Sequence, residues 1–141
     1  MLYVEYLKTI DRCPFCDDVR ERKIAENDTA ILTYSIAPYH KDHLLVIPKR
    51  HRVQLSELSD MEEGDIDKLK KLALELLNRA GYSNVSILIH GAKDMGKSIP
   101  HLHHDVVPNV KYYGDKNAIA ERVLLTIEEQ IEIREKFRRL L

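Results

Sequence analysis

Three of the seven histidines in this chain crowd into one short run, His101-Leu102-His103-His104-Asp105. On an extended strand, alternate side chains share a face, so His101, His103 and Asp105 are expected to project one way and Leu102, His104 and Val106 the other. An imidazole is neutral near pH 7 and can attack phosphorus, and the phosphoramidate it forms is readily hydrolysed. His103, central on the polar face, is the candidate nucleophile. A metal cluster or a plain surface patch of histidines gives the same local string, so the surroundings have to decide. Just upstream lies Gly91-Ala92-Lys93-Asp94-Met95-Gly96-Lys97-Ser98. Its glycines permit close backbone approach, Lys97 supplies charge and Ser98 a hydrogen-bond donor, the content of an anion cradle. Such a loop is commonly only a turn between strands, and its position beside His103 is what gives it weight.

The second chemical feature is a pair of thiols. Cys13 and Cys16 are the only cysteines. In a reducing compartment that spacing points to metal or redox chemistry rather than to a structural disulfide. Two thiolates two residues apart can both reach one ion.

These groups need elements to position them. Apolar, β-branched runs over residues 30–36, 43–48, 85–90 and 102–108 predict strands, punctuated by Pro38, Pro48, Pro100 and Pro108. Ser59 followed by Glu62 is a capping box that opens a helix, with Ile66, Leu69, Leu72, Ala73, Leu76 and Ala80 returning on one face and Gly81 closing it. Gly64 in its first turns is a mild penalty. A second helix is expected over residues 126–141, with Glu128 and Glu129 near its start and Arg138 and Arg139 near its end, matching the helix dipole. The class is α+β with an antiparallel sheet.

Whole-chain properties narrow the functions. A chain of 141 residues, 44% hydrophobic and 32% charged, fits one compact domain. With 22 basic against 23 acidic side chains, bulk charge does not indicate nucleic acid or membrane as a partner, so an anionic substrate must be held locally. No apolar stretch is long enough for a bilayer span. The first residues carry Glu5, Lys8 and Asp11 rather than a secretory pattern, so a cytoplasmic protein is expected.

The run Gly96-Lys97-Ser98-Ile99-Pro100-His101-Leu102-His103-His104-Asp105-Val106-Val107 resembles the signature of the histidine triad family, a Gly-x-Ser phosphate loop followed by His-φ-His-φ-His-φ-φ. Glu26-Asn27, Pro38-Tyr39 and His43-Leu44-Leu45-Val46-Ile47-Pro48-Lys49-Arg50-His51 resemble the strands that precede it. Glu5-Tyr6 ahead of Cys13-Pro14-Phe15-Cys16, and Gly114-Asp115-Lys116-Asn117 after the triad, are similar to the zinc-bearing branch that acts on dinucleoside polyphosphates.

The resemblance implies a histidine triad-like fold: an antiparallel sheet of about five strands packed with a long helix, plus a C-terminal helix. It implies a single domain over 1–141, with 1–20 as a zinc-tethered N-terminal segment and 118–141 as a helical tail. It assigns a structural zinc to Cys13, Cys16, His51 and His101, a closed four-ligand set with no open position for water. It implies phosphate binding at Gly96, Lys97 and Ser98, attack by His103 on a nucleoside phosphoanhydride or phosphoramidate through a nucleotidyl-histidine, and a homodimer.

Several positions depart from that pattern. Asp105 stands where the third histidine belongs, His90 where asparagine is common, Lys97 where glutamine is frequent and Asn109 where the zinc-bearing branch has arginine. In the sugar-contacting region, Ser35, His40 and Asp42 also differ, so Ser35, His40, His90 and Asp105 are candidates for binding the nucleotide or tuning substrate choice. A carboxylate at 105 repels an incoming phosphate, at a cost on the order of 2 to 5 kcal/mol in a partly desolvated site. Lys97 or His90 is the expected neutralising partner. The alternative to an enzyme is a catalytically weakened nucleotide-binding regulatory module.

Overall fold

The computed structural model describes residues 1–89, 100–109 and 122–141. Its centre is a five-stranded sheet: β1 (Ala25–Glu26), β2 (Ala30–Tyr34), β3 (Leu44–Pro48), β4 (Val85–Ile89) and β5 (His104–Pro108). The spatial order is β1-β2-β3-β5-β4, and every neighbouring pair is antiparallel. Among the described residues, four α-helices accompany it: α1 (Tyr3–Thr9), α2 (Pro14–Asp17), α3 (Asp60–Arg79) and α4 (Ile127–Leu140).

Every residue of β2, β3 and β5 is buried, because both faces of the sheet are covered. On one face Leu32, Tyr34, Leu44, Val46 and Val106 meet Ile66, Leu69, Ala73, Leu76 and Leu77 of α3 and Ile133 and Phe137 of α4. On the other, Ile31, Leu45 and Ile47 meet Tyr3, Phe15 and Val19 from the N-terminal segment. Two-sided burial explains why these strands read as continuous apolar runs rather than as an alternation.

The helix signals hold in detail. Ser59 caps α3, its side chain accepting the Glu62 N–H, while Glu62 accepts from the Ser59 N–H in return. At the other end the N–H groups of Gly81 and Tyr82 bond back to Asn78 and Leu77, a closure that needs the positive φ of 101° at Gly81. Thr126 and Glu129 form the same reciprocal cap on α4.

Strand limits differ from the sequence expectation. The run 30–36 stops at Tyr34 because the Ser35 hydroxyl accepts the Ala37 N–H and turns the chain. The run 102–108 enters the ladder only at His104: the Leu102 N–H is held by the Arg52 carbonyl, so His101 and His103 lie on the lead-in to β5 rather than in the strand. Two-residue β1 lies outside the apolar runs, and only the resemblance at Glu26-Asn27 marks it. Asn109 has φ 55° and bonds to the Asn84 carbonyl, a left-handed position that suits asparagine better than the arginine of the related pattern.

Candidate active site and metal cluster

The metal candidates converge. One ligand atom each from Cys13, Cys16, His51 and His101 can be chosen so that all lie within 4.8 Å of one another. His101 is fully buried and its Nε2 lies 2.9 Å from the Pro48 carbonyl. A carbonyl only accepts, so Nε2 carries the proton and Nδ1 the lone pair. That Nδ1 is 3.4 Å from both Cys13 Sγ and Cys16 Sγ, and His51 Nδ1 is 3.2 Å from Cys16 Sγ. Zinc–ligand bonds of about 2.0–2.3 Å give tetrahedral edges of about 3.3–3.8 Å. The donor types fit zinc, and the three sulfur–nitrogen separations of 3.4, 3.2 and 3.4 Å lie near those edges. Burial and then the neighbouring Cys13 push the Cys16 thiol up to about 11.

His103 lies one step along the same lead-in, buried and edge-on to the Phe15 ring at 5.2 Å. Its Nδ1 is 2.8 Å from the His101 carbonyl, so Nδ1 holds the proton and Nε2 carries the lone pair. One residue's backbone thus orients the next histidine along the lead-in, and the candidate metal ligand and the candidate nucleophile are tied together.

Asp105 does not stand alone. Its Oδ1 is 2.8 Å from His43 Nε2 and its Oδ2 is 4.0 Å from His103 Nε2. The Tyr39 N–H donates to His43 Nδ1 at 3.2 Å, which fixes the His43 proton on Nε2, facing the carboxylate. Burial raises the Asp105 pKa, but the hydrogen bond and charge of His43, with His103 and Arg122 adding to them, hold it below the usual range. The group is an ionised carboxylate under the candidate nucleophile. Lys97 and His90, the partners expected of it, lie outside the described residues; within them Asp105 pairs with His43. In the β3–β5 register Leu45 opposes Asp105, so His43 is the diagonal same-face neighbour, within reach of a long side chain.

His104 turns to the α3 side, as alternation predicts. It is buried with neither ring nitrogen hydrogen-bonded among the described residues. Burial, then Lys70 and His103, push it down to about 4, so it is neutral at pH 7.

A narrow cleft lined by Tyr3, Ser35, His103, Asp105 and Arg122 opens beside these groups. Ser35 therefore sits at the site. His40 does not line this cleft; its ring meets Tyr82 edge-on at 5.3 Å, its Nδ1 accepts the Asp42 N–H, and burial lowers its pKa. His90, Gly96, Lys97 and Ser98 lie outside the described residues. His43 and Arg122 were absent from the sequence candidates. For His43 the usable signal was its position two residues before the strand partner of Asp105; Arg122 had none.

Known proteins resemble this chain in sequence and in fold. The HIT domain family matches residues 17–112. The adenosine 5'-monophosphoramidase of Schizosaccharomyces pombe is 32% identical over 100 residues, covering 68% of this chain and 73% of that protein. A zinc-bound histidine triad family protein from Mycobacterium smegmatis superposes with a TM-score of 0.66 at 24% identity, over 91% of this chain and 94% of that one. The diadenosine triphosphate hydrolase of Plasmodium falciparum superposes with a TM-score of 0.71 at 17% identity, over 85% and 76% respectively.

Proposed function

The chain belongs to the HIT domain family, and from that premise we propose that it is a nucleotide hydrolase or nucleotidyl transferase acting through His103. The observation that carries this reading is the tautomer of His103: a proton pinned on Nδ1 by the His101 carbonyl leaves Nε2 as the nucleophile. Nε2 attacks the phosphorus of a nucleoside phosphoanhydride or phosphoramidate, a P–N bond forms and the bond to the leaving group breaks. Because Nδ1 keeps its proton, the nucleotidylated ring is cationic, and the Asp105 carboxylate at 4.0 Å stabilises that charge. Gly96, Lys97 and Ser98 are assigned to the phosphate oxygens. Water or another acceptor then attacks the phosphorus and releases His103. The relative from Schizosaccharomyces pombe, a phosphoramidase, supports the reaction class.

Cys13, Cys16, His51 and His101 would hold zinc. Bound there, zinc would supply structural rigidity, with Cys13 and Cys16 tying the N-terminal segment to the lead-in that carries His103, and the closed ligand set would leave no position for water.

The ionised Asp105 supports a second reading, a nucleotide-binding regulatory module with slow turnover. A panel of phosphoanhydrides, phosphoramidates and adenylylated nucleic-acid ends separates the two. The enzyme reading expects turnover of at least one class and its loss in His103→Ala with zinc content unchanged. Binding without turnover across the panel selects the module. A homodimer is part of the same proposal, supported by Ile87, 41% exposed on the edge strand β4; a sedimentation mass near the 16.4 kDa of one chain would remove it.

A further inference from the structure

Arg122 lies far along the chain from every residue assigned above, yet it faces the same cleft as His103 and Asp105. Its backbone is fastened on both sides. The Arg122 carbonyl accepts the Tyr3 N–H at 2.8 Å, the Leu125 N–H bonds to the Ile36 carbonyl at 2.8 Å, and Leu2 and Val123 form an antiparallel bridge. Its guanidinium lies over two rings, 4.4 Å from the Tyr39 centroid and 4.8 Å from that of Tyr3. Stacking of this kind holds the plane of an arginine while leaving its in-plane donors available.

Those donors are under-used. Nη1 donates to the Ala37 carbonyl at 3.0 Å, whereas Nε is buried with no hydrogen-bond partner among the described residues. A buried guanidinium donor without an acceptor is costly unless something supplies one. The cleft that Arg122 lines encloses about 10 Å³, room for one water or one phosphate oxygen. Its one carboxylate, Asp105, already accepts from His43 and feels the Arg122 charge from across the cleft.

The geometry points to Arg122 as a phosphate-binding, specificity-determining residue that offsets Asp105 and makes this site prefer a phosphoanhydride chain over a singly charged phosphoramidate. This rests on the nucleotide reading above. A carboxylate beneath the nucleophile repels every phosphate, and a fixed guanidinium opposite it restores attraction most strongly for the substrate with most charge. A role confined to fastening the two termini onto the sheet would instead affect all ligands alike.

The test uses the full zinc-loaded chain with inorganic pyrophosphate as the anion probe and adenosine as the uncharged one. Arg122→Gln is expected to weaken pyrophosphate binding about tenfold or more while adenosine affinity stays within about twofold, and Arg122→Lys to recover part of the loss. The ratio of kcat/KM for a dinucleoside polyphosphate over an adenosine phosphoramidate should fall by about tenfold in Arg122→Gln. Unchanged pyrophosphate binding, or equal loss for both probes, overturns the proposal. If Arg122→Gln does not fold, phenylglyoxal modification of the wild-type chain decides: protection of Arg122 by pyrophosphate supports the assignment and equal modification with and without it overturns it. Turnover by the wild type with an unaltered substrate ratio in Arg122→Gln defeats this inference alone. Arg122-dependent pyrophosphate binding without any nucleotide turnover defeats the hydrolase reading and leaves the anion site standing.

Discussion

At the scale of single residues, the decisive contact is Asp105 between His43 and His103. The substitution of a triad histidine by a carboxylate reads from the sequence as a defect, because an anion meets an anion. The structure gives the carboxylate a fixed donor on one oxygen and the candidate nucleophile near the other. Asp105→Asn retains an acceptor for the His43 N–H and deletes the charge. If that charge stabilises a cationic His103, the variant will show a lower KM, from reduced repulsion of phosphate, together with a kcat lower by about tenfold. Steady-state kinetics on the preferred substrate read both, and a kcat that rises along with affinity would show the carboxylate to be an impairment. Residue type and spacing singled out His103 and the Cys13–Cys16 pair, and the family resemblance added His51 and His101 as candidate ligands. The His43–Asp105 pair was not legible, because it depends on the register of β3 against β5 across 62 positions of sequence.

At the scale of elements, α3 was legible to the residue because its signals are local: a reciprocal cap, a period near 3.6 and a glycine at the exit. Glu62 has a second task, since it is buried and paired with the guanidinium of Arg50. Arg50, then the Ser59 groups, outweigh burial and hold the Glu62 carboxyl down to about 2. A carboxylate with a folded value below its unfolded value of about 4.3 contributes stability at neutral pH, and that contribution is lost as pH falls from about 4.3 towards 2. Glu62→Gln should therefore cost on the order of 1–2 kcal/mol at pH 7, discounted because Arg50 is itself half exposed, and distinctly less at pH 3. Urea unfolding at the two pH values measures it; an equal cost at both would assign the effect to shape rather than charge. Strand ends were less legible than helix ends. Ser35 and Leu102 leave the ladder through contacts made by a hydroxyl and by the Arg52 carbonyl, which no periodicity announces.

At the scale of the whole molecule, the sheet carries helices on one face and the N-terminal segment on the other, and Tyr3 and Arg122 border the cleft that holds His103. The sequence made the α+β class and the helix side plain. It left the second face obscure, since residues 1–24 are short turns of helix whose apolar residues have no sustained period. Zinc is expected to hold that face in place, joining Cys13 and Cys16 to His51 after β3 and His101 before β5. Removing it with a chelator, or Cys16→Ser, should lower the thermal midpoint by about 10 °C and make the thiols titratable; a metal-free chain with an unchanged midpoint would reject a structural zinc. Among the described residues no helix is long and apolar enough to cross a membrane. The central claim is the covalent step at His103, and alkaline quenching of a reaction with an adenylylated substrate, followed by peptide mass mapping, tests it most directly. The account predicts a nucleotidyl adduct on the peptide containing His103 in the wild-type chain and none in a zinc-loaded His103→Ala chain; turnover that proceeds in His103→Ala at the wild-type rate would contradict it.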